Sequence, residues 1–367
     1  MADFNGTAGR DLIFGTPGDD SIQGFAGNDN VYAGDGNDII KLGKGDDLVF
    51  AQGGNDTVQG GSGTDRILGG SGNDSLHGGS GTDAIVGDSG DDSLYGGNGT
   101  DQISGGSGDD SLYGGADNDN LVGEAGDDTI LGGKGNDNLV GDAIPTGEDS
   151  DVSISGNDVL RGGEGEDDLA GGPGDDQLFG GSGEDFMTGN TGDDEVRGGA
   201  GNDIVFGGES GNDSVYGGAG DDSVFGESGN DEVFGGQGND ILLGTTFDPT
   251  QGLGVGEVDV LTGGNGKDAF VLAGQLLDGS TTVFYNDNDT SSAGTNDYAV
   301  IADFQNNDII QLIGSANDYS LGTSPQGLQS GTGIFLNDGD NPELIGIIAD
   351  ISVDNLSLDN SSQFSFV

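Results

Sequence analysis

The sequence predicts an all-β chain: a right-handed solenoid of two parallel sheets with a β-rich cap at its C-terminal end. Three observations predict it. A nine-residue unit recurs over most of the chain, its two halves favour different backbones, and the composition changes after Phe270.

The unit is clearest at GGSGNDSLH, residues 69–77, which stands between GGSGTDRIL and GGSGTDAIV. Written GGxGxDxUx, with U apolar, it carries its aspartate at position 6. These aspartates are Asp11, Asp20, Asp29, Asp38, Asp47, Asp56, Asp65, Asp74, Asp83, Asp92, Asp101, Asp110, Asp119, Asp128 and Asp137, spaced by nine. After the insert GDAIPTGEDSDV the series resumes at Asp158, Asp167, Asp176, Asp185, Asp194 and Asp203. One extra residue in GGESGNDSVY leads to Asp213, Asp222, Asp231 and Asp240, and an excess around GTTFDPTQGL leads to Asp259 and Asp268. Position 8 is apolar in all 27 copies, from Ile13 to Phe270. The chain therefore divides into uninterrupted repeats (1–140), a loop insert (141–155), continued repeats with inserts near 207–210 and 244–253 (156–271), and a closing region (272–367).

The first six residues of the unit hold up to three glycines, with Asn, Asp or Thr often at position 5. These residues accept positive φ and tight turns. The last three read polar, apolar, variable: a short strand with one side chain turned inward. Two such units make one coil of eighteen residues. One inward apolar residue in nine is a thin core against the entropy of ordering so much glycine.

Composition narrows what the chain does. It has 67 acidic residues against 8 basic ones, for a formal net charge of -59. Nucleic-acid binding through phosphate neutralisation is excluded on that balance. The partner that such charge favours is a cation. Coils stack about 4.8 Å apart, so aspartates eighteen residues apart stand nearly above one another. Two such charges repel by about 1 kcal/mol in water and about 3 kcal/mol at an effective dielectric of about 20. A divalent cation between turns removes the repulsion. Aspartate oxygens and the carbonyls of glycine turns form an oxygen-only, flexible ligand set, which favours Ca²⁺ over Mg²⁺ or Zn²⁺. About 25 ions between turns would carry roughly +50, close to balancing the formal charge. All 27 aspartates are thus candidate calcium ligands.

These repeats resemble the RTX (repeats-in-toxin) family, whose hemolysin-type nonapeptide binds calcium in a parallel β-roll. The resemblance covers residues 6 to 271. It implies that each ion joins one turn to the second turn onward, for example those of Asp74 and Asp92. Where Asp117 replaces the third glycine, and Ala33, Leu42 and Ala51 the first, the sites at Asp119 and in the early repeats are expected to be weaker or distorted. The closing region keeps only 10 of the 81 glycines, and Lys267 is the last basic residue. Its alternating stretches DYAVIADF, DIIQLIG, GTGIFL and ELIGIIADI read as longer strands and resemble an RTX cap. The end, LSLDNSSQFSFV, resembles an uncleaved signal for type I export, which makes that machinery an expected partner. The N-terminus lacks a basic segment followed by an apolar one, no stretch reaches the ~20 apolar residues of a membrane span, and there is no Cys.

No enzyme is expected. The only histidine, His77, falls at outward position 9, there is no HExxH, and acidic pairs such as Asp19/Asp20, Asp127/Asp128 and Asp287/Asp289 read as calcium ligands or solvated turn edges. Position 9 also aligns aromatic residues: Phe14/Tyr32/Phe50, His77/Tyr95/Tyr113, Phe206/Phe225 and Tyr216/Phe234. Rows of this kind stabilise neighbouring strands or offer a platform for surface polysaccharide or self-association. The sequence thus points to a secreted, extracellular, calcium-loaded structural component of a surface or matrix, with a calcium-dependent carbohydrate-binding adhesin or accessory module as the alternative.

Overall fold

The computed structural model describes residues 1–142, 155–246, 256–275, 281–285, 297–337 and 342–367. The chain forms two compact units, 1–182 and 183–367, each taken by itself below. Among the described residues the regular structure is β apart from two single-turn 3₁₀ helices, Ala316–Asp318 and Val353–Asn355.

In the first unit, strands alternate between two parallel sheets, and partners stand eighteen residues apart. Ser75–Ser80 pairs with Thr57–Ser62 and Ser93–Asn98 in one sheet. Ala84–Ser89 pairs with Arg66–Ser71 and Gln102–Ser107 in the other. Parallel strands exclude a hairpin, so each turn must carry the chain across to the opposite sheet. A strand absent from the repeat count, Ala2–Asn5, completes the first coil by pairing with Asp20–Ala26. Past the insert the parallel register continues, Thr129–Lys134 on Val159–Glu164 and Asn138–Val140 on Asp168–Pro173. The loop expected at 141–155 lies largely outside the described residues, as does most of the insert at 244–253.

The strands are twice as long as the three residues expected. Ser75–Ser80 is SLHGGS, running from position 7 through position 3 of the next unit. Position 1 points inward with no side chain, and position 2 takes φ near +119°, as at Gly79, where an L side chain is strained. The ladder skips position 1 and resumes at once, pairing Gly79 with Gly97. Three positions in nine are therefore internal: the aspartate, the apolar residue and the first glycine. All 27 position-8 side chains are buried.

The departures from consensus do not distort the roll. Ala33, Leu42 and Ala51 are buried and add methyl groups to the core. Asp117 adopts φ 76°, a left-handed conformation that Asp tolerates better than most residues, and the turn of Asp119 keeps its hydrogen bonds. The distortion expected at Asp119 is not seen in its ladder hydrogen bonds.

In the second unit the extra residue of GGESGNDSVY forms a bulge: Asn190 opposes Gly208, but Thr191 opposes Ser210. Beyond the last repeat, Tyr298–Ile301 lies parallel to Val258–Gly266 and to Glu343–Ala349. Gly331–Leu336 is antiparallel to both Tyr319–Thr323 and Glu343–Ala349. In the other sheet Ile309–Leu312 lies between Ala269–Val271 and Phe364–Phe366. Glu343–Ala349 is buried along its whole length, and Leu344 and Ile347 pack with Tyr298, Val300 and Phe335. The closing region has an apolar core of its own.

Candidate metal centres

The turn sequence delivers each aspartate to the interior. Gly72 at position 4 takes φ 118°, reversing the chain so that Asp74 points back beneath the turn, where it is 3% exposed. Of the 27 position-6 aspartates, only Asp11 is not buried.

Burial is made possible by a hydrogen-bond ladder that repulsion arguments alone did not foresee. The backbone N–H of Asp56 donates to Asp74 Oδ1, that of Asp74 to Asp92 Oδ1, and that of Asp92 to Asp110 Oδ1, each at 2.7 Å. Every carboxylate in this run is tied to the preceding coil by one oxygen. Position 5 forms a second, exposed rail of opposite sense: Asn55 N–H donates to Asn37 Oδ1 and Asn73 N–H to Asn55 Oδ1. The Asn and Asp recurring at position 5 therefore bond between coils as well as tolerating turns. That frequency was the only sequence signal for the rail.

The second oxygen decides the chemistry. Oδ2 is buried without a hydrogen-bond partner at Asp29, Asp38, Asp74, Asp92, Asp110, Asp213, Asp222 and Asp231, among others. It borders the space left by the missing side chain at position 1. A Cβ on Gly24 would lie 2.6 Å from Asp29 Oδ2 and 3.1 Å from the Leu42 carbonyl oxygen. One on Gly217 would lie 2.5 Å from Asp222 Oδ2 and 2.7 Å from the Gly235 carbonyl oxygen. A carboxylate oxygen and a carbonyl oxygen, both acceptors, thus line one small cradle. Leaving a buried charged acceptor unpaired is costly, and a proton or a hard cation relieves it. Among the described residues no three carboxylate or imidazole side chains converge on one point. Any cation held here takes backbone oxygens as well, and flexible mixed oxygen donors suit Ca²⁺.

The profile of the RTX calcium-binding nonapeptide repeat matches residues 5–40, 42–76, 77–112, 113–143, 154–187, 179–210 and 208–242. The chain belongs to the RTX family. No curated protein matches it. The profile stops at residue 242, yet the RTX ladder goes on: Asp231 N–H donates to Asp259 Oδ1 at 3.0 Å and Asp240 N–H to Asp268 Oδ1 at 3.1 Å. It then reaches Asp308, which sequence reading missed, because Asp268 N–H donates to Asp308 Oδ1. The NDII of residues 307–310 repeats the N-D-x-U of the repeats without their glycines, and that was the available signal.

Burial pushes the RTX carboxyls upward, and neighbouring aspartates add to it. Asp65, Asp74 and Asp110 are raised to about 7, Asp128 and Asp158 to about 8, and Asp231 to about 9. Asp20 is the reverse: burial raises it, but the hydrogen bonds from Thr16 and Ala2, together with the N-terminal charge, leave it lowered.

The aromatic rows form on the outer faces. His77 stacks on Tyr95 with centroids 4.4 Å apart, and Tyr95 on Tyr113 at 4.7 Å. Phe14–Tyr32–Phe50, Phe206–Phe225 and Tyr216–Phe234 stack at 4.7–5.3 Å. The Arg197 guanidinium lies over Tyr216. His77, half-buried in its row, has its pKa lowered by burial. Among the described residues no helix is long and apolar enough to cross a membrane.

Proposed function

We propose that this RTX chain is a secreted protein whose repeats fold outside the cell on binding calcium, and that it serves as a structural component of a cell surface or extracellular matrix. The columns of buried Oδ2 atoms without a hydrogen-bond partner carry this reading. Bound calcium supplies positive charge and oxygen coordination at those atoms. The chain's own residues do the rest. The position-1 glycines leave the cradle open, the backbone N–H ladder aims one oxygen of each aspartate away from it, and the position-8 side chains exclude water beneath it. At the low free calcium of a cytoplasm the repeats stay an unfolded polyanion fit for one-step export. At the ~10⁻⁴–10⁻³ M affinity of extracellular modules, binding becomes folding. Circular dichroism of the whole chain in chelator and in about 5 mM Ca²⁺ tests this, and equal β content in both would end it. Export is tested by deleting the segment after Leu356, with retention inside the cell as the expected result. We assign no catalysis to the chain.

The stacked rows favour a second reading, a calcium-dependent carbohydrate-binding adhesin. The coplanar His77, Tyr95 and Tyr113 rings make a ribbon on which sugar faces could lie. Glycan binding by the calcium-loaded monomer, lost in Tyr95→Ser/Tyr113→Ser, would favour this second reading.

A further inference from the structure

Resting on the calcium reading, we propose that the acidic columns are closed at their ends by hydrogen-bond donors of the chain itself, and that the rung of Asp259 takes no cation. The decisive comparison is along one column of the second unit. The space inside Gly207 is bordered by Asp213 Oδ2 and the Gly226 carbonyl oxygen, and that inside Gly226 by Asp231 Oδ2 and the Gly244 carbonyl oxygen. Inside Gly244 stands Asp259 Oδ2 again, but the place of the carbonyl oxygen is taken by the phenol oxygen of Tyr285. An acceptor has been exchanged for a donor.

Tyr285 is fully buried, and its hydroxyl donates to Asp259 Oδ2 at 2.5 Å. Asp259 Oδ1 already accepts the Asp231 N–H. Both oxygens are used, and the O–H points into the space that a cation would need. The following coil cannot extend this column, because Ala299 stands opposite Asp259.

The other ends follow the same rule. In the first unit Asp11 Oδ2 accepts the N–H and Oγ1–H of Thr7 at 2.6 and 3.0 Å. Asp20 Oδ2 accepts the same two groups of Thr16 at 2.7 and 2.9 Å. In the second unit Asp308 Oδ2 accepts the Gln305 N–H at 2.6 Å. The terminal rungs are therefore paired without metal, and calcium belongs to the rungs between them.

The test is a crystal of the full chain grown in Ca²⁺ and mapped by anomalous scattering. Peaks are expected beside Oδ2 of Asp222 and Asp231, with none at Asp259 and the Tyr285 hydroxyl in place. A peak on Asp259 with Tyr285 displaced would overturn the proposal. No peak anywhere would instead overturn the calcium reading itself. In solution, equilibrium dialysis with Ca²⁺ separates the same cases: Asp259→Asn is expected to leave the calcium count per chain unchanged, while Asp222→Asn lowers it. Equal losses in the two variants would count against closed ends.

Discussion

The interior repeats and the closing region use the same backbone pairing but different interiors. Beneath a repeat turn lie one aliphatic side chain, one glycine and a carboxylate with an unanswered oxygen. In the closing region, Glu343–Ala349 is buried at every residue and its neighbours are Ile, Leu, Phe and Tyr. The first kind of interior, on the proposed calcium reading, is completed by a cation that answers its buried charge. The second is mainly apolar, although it also buries Glu343, Thr332 and Asp308. On that proposed reading, the difference teaches that a parallel solenoid with so much glycine leans on bound cations more than the segment that ends it does.

The largest effect should come from removing calcium. In chelator near neutral pH most of the β signal of the repeats is expected to disappear from the far-ultraviolet spectrum, while protected amides persist in the closing region under hydrogen exchange. Uniform loss across both regions would break the comparison.

Protons should replace part of what calcium does. The unfolded aspartates ionise near 3.8, while Asp65, Asp74 and Asp110 in the fold are raised to about 7. Between those values the folded state holds more protons than the unfolded one, so cation-free stability is present at low pH and is lost as pH rises through about 7. A chelated sample is therefore expected to regain β structure at about pH 5 relative to about pH 8, as read by circular dichroism.

Side-chain deletions sharpen the contrast. Leu94→Ala in a repeat and Leu344→Ala in the closing region should each cost about 2–5 kcal/mol in urea titrations of the calcium-loaded chain. Only the second should still matter to whatever structure survives in chelator. Asp110→Asn keeps an oxygen for the Asp92 N–H but changes the one facing the cradle. It should lower calcium uptake and cost about 1–3 kcal/mol, measured by titration calorimetry and urea unfolding. The smallest effect belongs to the aromatic rows. Tyr95→Ser loses two ring contacts and should cost about 0.5–1.5 kcal/mol, with calcium uptake unchanged.

Much of this was legible in the residues. The period of nine placed Leu76 on the inside, Asp74 at a stacked turn and His77 on the outside, and the coil of eighteen aligned Tyr95 with Tyr113. What escaped was anything set by the neighbouring coil. The strand at Ala2–Asn5 keeps only the apolar position of the unit, Phe4, without its aspartate and glycines, and pairs with the edge that Asp20–Ala26 offers. Leu42 and Asp117 looked like defects, yet Leu42 falls on an inward position and Asp117 tolerates a left-handed φ. Asp308 lacked the glycines that marked its counterparts.

By itself, the sequence determined the repeat, its two-sheet winding, the identity of the inward aliphatic residues and the oxygen-only chemistry of the turns, because these follow from side-chain alternation and local backbone freedom. Only the tertiary structure decided how each aspartate divides its two oxygens, one to the N–H of the coil before it and one to the cradle, and which rungs are closed by Thr7, Thr16 or Tyr285. The ladder and Tyr285 depend on which donors stacking brings within hydrogen-bond reach, and Thr7 and Thr16, four residues from their aspartates, act through a turn geometry that spacing alone does not encode.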